Sequence, residues 1–162
     1  MARRSISVAV SIPIACVLFA PCVVSQDEQL GCGPSNEKYR FVRHKDKPLP
    51  EAPPGKAMVY VLRGRAGFPM SRGRARLGVD GKWVGMTDRR TYFYFAADPG
   101  LLELCLDVRK TQMFLTVEAG KTYYVMMEVA PARELTRLLA ISEDEAKKRL
   151  PQYHYATAER KP

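Results

Sequence analysis

"RLGVDGKWVGM", residues 76–86, decides how this chain is read. Asp80-Gly81 separates Leu77-Gly78-Val79 from Trp83-Val84, and Asp-Gly tolerates the positive φ that both central residues of a primed two-residue turn require. Two apolar runs joined by such a turn make a β-hairpin, so the flanking sequence should keep a period of two if the domain is built from strands.

On the N-terminal side, "KAMVYVLR" (56–63) sets Ala57, Val59 and Val61 against Met58, Tyr60 and Leu62, a strand apolar on both faces and therefore buried on both. On the C-terminal side, "TYFYFAADPG" (91–100) places Tyr92 and Tyr94 on one face and Phe93 and Phe95 on the other, closed by an Asp-Pro-Gly turn. "LLELCLDV" (101–108) alternates Leu102, Leu104 and Leu106 with Glu103, Cys105 and Asp107. "QMFLTVEA" and "KTYYVMMEVA" are two more strands meeting at Ala119-Gly120, and "ELTRLLAI" (134–141) fits a last strand or a short helix. This spacing predicts a mostly β domain, a β-sandwich of about seven short antiparallel strands. Ser142 followed by Glu145 is a capping box, with acids early and Lys147, Lys148 and Arg149 late, so a short C-terminal helix is expected over 143–150, ended by Pro151.

The domain expected is 55–151, between a polar, proline-rich linker at 26–54 and a flexible tail at 152–162. Pro48, Pro50, Pro53 and Pro54 favour extended backbone and supply no donors. Ahead of the linker, Arg3 and Arg4 precede an uncharged apolar stretch to Ser25, the pattern of an export signal, and 1–25 is read as a signal peptide. Three fates fit it: cleavage after Ser25, lipidation at Cys16 or Cys22, and retention as an anchor. Pro21 before Cys22 argues against lipidation there, and Pro13 and Pro21 weaken a spanning helix.

The chain carries 26 basic against 17 acidic residues, and without Arg3 and Arg4 the balance is still 24 to 17. Basicity favours anionic partners, and export disfavours nucleic acid among them. Two of the four cysteines lie in the signal. The remaining pair, Cys32 and Cys105, suggests a disulfide in an oxidising compartment, closing a loop of about seventy residues for roughly 4 kcal/mol on the chain-entropy model. The alternative is a buried thiol at Cys105.

Gly120-Lys121-Thr122 in "VEAGKTYYV" (117–125) is the end of a nucleotide-binding loop, but the position that needs the first glycine of that motif is Leu115, and strand rather than helix follows. A turn with Gly120 at positive φ, taken as a hairpin, explains it. "GKAMVYVLR", "LGVDGKWVGM", "TYFYFAADPG" and "VEAGKTYYV", in that order, resemble the exported bacterial domain of unknown function 2846, over roughly residues 54–150. The segment from "VDGKWVG" to "ADPG" also resembles PEGA-type β modules. The resemblance implies export and a β-sandwich; it brings no catalytic residues.

Nothing in the sequence builds an enzyme. His44 and His154 lie in the linker and the tail, no zinc-ligand spacing is present, and Glu103 with Asp107 reads as a solvated strand face. No cofactor or metal is expected. The functional candidates are Arg63, Arg65, Arg72, Arg74 and Arg76, around an apolar Phe68-Pro69-Met70 tip, whose guanidinium forks suit carboxylate or phosphate. The alternative is a solvated loop. Trp83, Tyr92, Tyr94, Tyr123 and Tyr124 fit core packing better than a sugar platform, with Trp83 expected to be the exposed one. These features describe an exported, non-enzymatic envelope or secreted binding module. Its partner would be an envelope component or a protein, with membrane association through the N-terminal segment or the basic loop. A structural subunit pairing through an edge strand is the other reading.

Overall fold

The computed structural model describes residues 32–64, 73–129 and 136–161. The fold is mostly β, in two sheets: β1 (Tyr39–Arg43), β2 (Ala57–Arg63), β5 (Thr91–Ala97), β8 (Thr122–Glu128), β9 (Arg137–Ile141) and β10 (His154–Arg160) form the larger, in the order β1-β10-β5-β2-β8-β9. The smaller holds β3 (Ala75–Val79), β4 (Lys82–Thr87), β6 (Gly100–Leu106) and β7 (Thr111–Val117), in the order β4-β3-β6-β7. A short helix, α1 (Glu143–Arg149), runs into a 3-10 turn at Leu150–Gln152.

The hairpin at residues 76–86 forms as its turn chemistry requires, with φ of 48° at Asp80 and 74° at Gly81. Leu77 pairs with Gly85 but Gly78 pairs with Trp83, so Val84 is an extra residue, a β-bulge that turns Trp83 outward while Gly85 faces Phe93. Strand β2 is buried along its whole length because it has a layer on each side. Val59 and Val61 meet Leu77, Leu104, Leu106 and Val117 between the sheets. Met58, Tyr60 and Leu62 meet Tyr92, Met126, Leu150 and Tyr153 on the outer face. Each such side chain contributes about 1.5–3 kcal/mol by leaving water.

Three expectations are corrected. The described residues form ten strands, and two pairings, β2 with β8 and β5 with β10, are parallel, made by long connections that return to the same sheet. The stretch 26–54 is not simply a linker: Tyr39–Arg43 is a strand beside β10, and the proline segment after it is strapped onto the larger sheet. Tyr60 donates its hydroxyl to the Pro50 carbonyl at 2.5 Å and Tyr92 donates to the Pro48 carbonyl at 3.0 Å. Proline lacks a donor but keeps its carbonyl, so phenols can hold such a segment where a ladder cannot. The tail is not loose either, since most of 152–162 is β10, inserted between β1 and β5 with Ala156 fully buried.

Burial raises the Tyr60 phenol well above its ordinary value and pushes Tyr92 up to about 12. A raised phenol favours the protonated folded state, so this contribution is complete below about pH 10 and is lost as pH rises towards about 12. Urea midpoints should therefore fall across that window, and Tyr92→Phe, which cannot ionise, should fall less steeply. A flat profile in the wild type would contradict the strap.

Candidate functional site

Strand register collects one class of side chain at one end of the sandwich. Leu62 lies beside Tyr92, Arg63 beside Met127, His154 beside Thr91 and Glu128 beside Arg137, so these termini of the larger sheet coincide. In the smaller sheet the same end is marked by the pairs Ala75–Thr87 and Leu106–Thr111. The two are tied together by Arg63, whose Nη1 donates to the Gly73 carbonyl at 2.5 Å and the Thr87 carbonyl at 3.3 Å.

That end carries Arg43, Arg74, Arg76, Arg89, Arg90 and Lys110, together with Arg137 at the start of β9 and Lys148 and Arg149 at the end of α1. Among the described residues its acids are fewer than its cations, and three of them are matched internally. Asp107 holds Arg76 at 2.9 Å, Glu128 holds Arg137 at 2.7 Å and Glu145 holds Arg149 at 2.7 Å. The opposite end is mixed: Lys56 pairs with Asp98 and Lys121 with Glu118, beside Asp80, Lys82 and, at the start of α1, Glu143 and Asp144. The described residues are therefore electrically polarised along the strands, and Gly64 and Gly73, which flank residues 65–72, lie at the basic end.

The predicted arginines divide by role. Arg63 is 2% exposed, and burial lowers its pKa from the usual guanidinium value; it is a structural cross-link between the sheets rather than a ligand group. Arg76 is also built in. Its guanidinium lies 4.2 Å from the Trp83 ring centroid, its Nε meets Asp107 and its Nη1 donates to the Glu37 carbonyl at 3.3 Å. Arg74 is exposed, with its guanidinium 5.0 Å from the Phe41 ring centroid. Arg65, Arg72 and the Phe68-Pro69-Met70 tip, like the stretch 1–25 that the sequence reads as a signal, lie outside the described residues.

Trp83 is half-buried rather than exposed, because the segment after Cys32 crosses over it and its Nε1–H donates to the Pro34 carbonyl at 2.9 Å. The Cys32–Cys105 disulfide fixes that segment near the C-terminal end of β6, with Cα atoms 4.9 Å apart. Gly78 makes the crossing possible: a Cβ there would lie 1.6 Å from the Cys32 carbonyl oxygen. The tyrosines named in the sequence sit in packed clusters, Tyr60 stacking on Tyr124 at 5.4 Å and Tyr94 on Tyr155 at 5.2 Å.

Gly120-Lys121-Thr122 is a turn, with φ of 75° at Gly120 and Lys121 N–H donating to the Glu118 carbonyl at 3.2 Å. It is an arch rather than a hairpin, because β7 and β8 belong to different sheets; Gly120 N–H is instead satisfied by the Lys56 carbonyl at 2.8 Å.

A family model described as "Protein of unknown function (DUF2846)" matches residues 53–136, just over half of the chain. The chain belongs to that family. No curated protein and no solved structure matches it. The DUF2846 match runs from the residues before β2 to the residue before β9, so it contains the smaller sheet and the arginine loop. The strap, α1 and β10, which complete the basic end, fall outside the DUF2846 match.

Proposed function

We propose that the protein is an exported, non-enzymatic binding module that docks the basic end of its sandwich on an anionic envelope surface. The observation that carries this reading is the segregation of charge along the strands. Among the described residues, cations from both sheets and from α1 converge on one end, while the other end is balanced. A field of that shape orients a protein towards a negative surface more strongly than net charge alone. The Phe68-Pro69-Met70 tip between Arg65 and Arg72 has the chemistry of an interfacial contact, apolar with cationic flanks.

Export is supported by the signal-like segment and by the disulfide, which persists in oxidising compartments. The non-enzymatic part is supported by the histidines. His44 Nε2 is engaged by Thr157 Oγ1 at 2.8 Å with its ring against Tyr155, and His154 opens a strand. Edge-strand pairing is less favoured, because β1, at one edge of the larger sheet, carries Arg40 and Arg43, and charged edges resist strand addition.

Co-sedimentation with vesicles tests the reading. Each surface-facing cation is worth about 1 kcal/mol near an anionic bilayer, and screening shortens to about 3 Å at molar salt. The partition coefficient on phosphatidylglycerol vesicles should therefore fall by on the order of a hundredfold as salt rises to about 0.5 M, with little binding to neutral vesicles. Salt-independent binding, or equal binding to neutral vesicles, would reject electrostatic docking.

A further inference from the structure

We propose that the concavity between the β4–β5 turn and the C-terminal end of α1 is a binding site for a phosphate monoester, R–O–PO3²⁻. The inference rests on the docking reading above, because the concavity opens on the same basic end, and it deepens that reading by naming a ligand group.

The concavity has a volume of about 540 Å³ and is lined by Arg90, Glu145, Lys148, Arg149, Gln152 and Tyr153. Three of these are cations and one is an acid, and the acid is neutralised within the wall, Arg149 Nη2 donating to Glu145 Oε1 at 2.7 Å. The remaining polar groups are mostly donors: the Arg90 guanidinium, the Lys148 ammonium, the Gln152 amide and the Tyr153 hydroxyl. Tyr153 is 6% exposed, and burial raises its phenol, so the hydroxyl keeps its proton at neutral pH.

These donors come from two walls. Arg90 projects from the β4–β5 turn, and the others from α1 and the 3-10 turn after it. A planar carboxylate suits a single fork. A phosphate monoester offers three oxygens pointing in different directions, which suits a guanidinium on one wall and an ammonium on the other.

Both walls are held by the backbone. His154 N–H donates to the Arg90 carbonyl at 2.9 Å, which ties the turn to the start of β10. Tyr153 N–H donates to the Leu150 carbonyl at 2.9 Å, and Lys47 Nζ donates to the Pro151 carbonyl at 2.7 Å. Arg90 itself has a φ of 52°, a left-handed conformation in which glycine or asparagine would sit with less strain than arginine. A long cation at a strained turn position is a feature that turn formation alone does not require.

A lipid headgroup and a soluble phosphate ester present the same phosphoryl chemistry, and two arms separate them. In the first, inorganic phosphate is titrated into the protein at constant ionic strength while backbone amide signals are followed by NMR. The site predicts saturable shifts at Arg90, Lys148 and Gln152, with affinity reduced at least tenfold in the Arg90→Asn/Lys148→Gln double variant; asparagine suits the left-handed turn, and both positions are exposed. In the second, vesicles containing phosphatidate are compared with phosphatidylglycerol vesicles of matched surface charge. Preference for phosphatidate, lost in the double variant, assigns the site to a headgroup; phosphate shifts without that preference assign it to soluble esters. Absence of saturable shifts at these residues, with the double variant binding both vesicles like wild type, overturns the site and leaves surface docking standing. Saturable shifts in a protein that ignores anionic vesicles would uphold the site and reject docking.

Discussion

Replacing Cys32 and Cys105 together by serine is expected to lower the stability of the protein by roughly 4 kcal/mol on the chain-entropy model. The bond spans 73 residues of sequence, so it removes much of the freedom of the unfolded chain. It also has a local consequence. The segment from Cys32 to Pro34 crosses the outer face of the smaller sheet with its path set by the disulfide, by Gly78 and by the Trp83 indole. Trp83 is the one tryptophan in the chain, so its fluorescence reports on that cover directly. The double variant should show a lower urea midpoint and a red-shifted native emission. An unchanged midpoint with unchanged emission would mean that the segment stays in place without its covalent tether.

The second large effect is expected at Arg63. Arg63→Met should lower stability by about 3 kcal/mol, because it leaves the buried Thr87 carbonyl and the partly buried Gly73 carbonyl without their charged donor. Arg63→Lys keeps the charge but loses the planar fork and should fall between methionine and wild type. Below its unfolding temperature, the methionine variant should bind anionic vesicles with the same salt dependence as wild type, because Arg63 faces the interior. Retained stability with weakened vesicle binding would return Arg63 to the ligand-binding set.

The contrast among the arginines marks what sequence patterning can reach. The alternation in 56–63 and 91–108 and the Asp80-Gly81 turn are local signals, and each yields the strand or turn it announces. Ser142 likewise caps α1, accepting from Glu145 N–H at 3.2 Å. Parity leaves Cys32 and Cys105 as a candidate pair against a buried thiol at Cys105, and the disulfide is the one that forms. Strand β10 is less legible because "HYATAER" has little apolar periodicity of its own; its place comes from partners distant in sequence, β1 and β5. "YRFVR" in β1 does alternate, but it is five residues long and sits among charges and prolines. The strap is hidden for a different reason. Its prolines carry the signature of an extended tether, and nothing local says that two tyrosine hydroxyls are waiting for their carbonyls.

The candidate site shows the same division. Five arginines within fourteen residues mark a basic loop, yet spacing cannot tell a guanidinium that cross-links two sheets from one that faces solvent. Arg63 and Arg76 turn inward because the strands that bear them end where the sheets meet and where the N-terminal segment crosses. Conversely, Arg90, Lys148 and Gln152 are spread over more than sixty residues of sequence. Only the parallel insertion of β10 beside β5 brings their elements to one end.

The most direct test of the account moves charge without changing its total. Arg43, Arg74 and Lys110 are replaced by glutamate in one variant, and Lys38, Lys82 and Lys161, which lie at the opposite end where Lys161 N–H meets the Lys38 carbonyl, in another. Both variants have the same net charge, and their binding to phosphatidylglycerol vesicles is compared at low salt with folding checked by circular dichroism. Docking through the basic end predicts that the first variant loses binding while the second stays within about twofold of wild type. Equal loss in both would show that net charge alone governs attachment, and it would contradict the account.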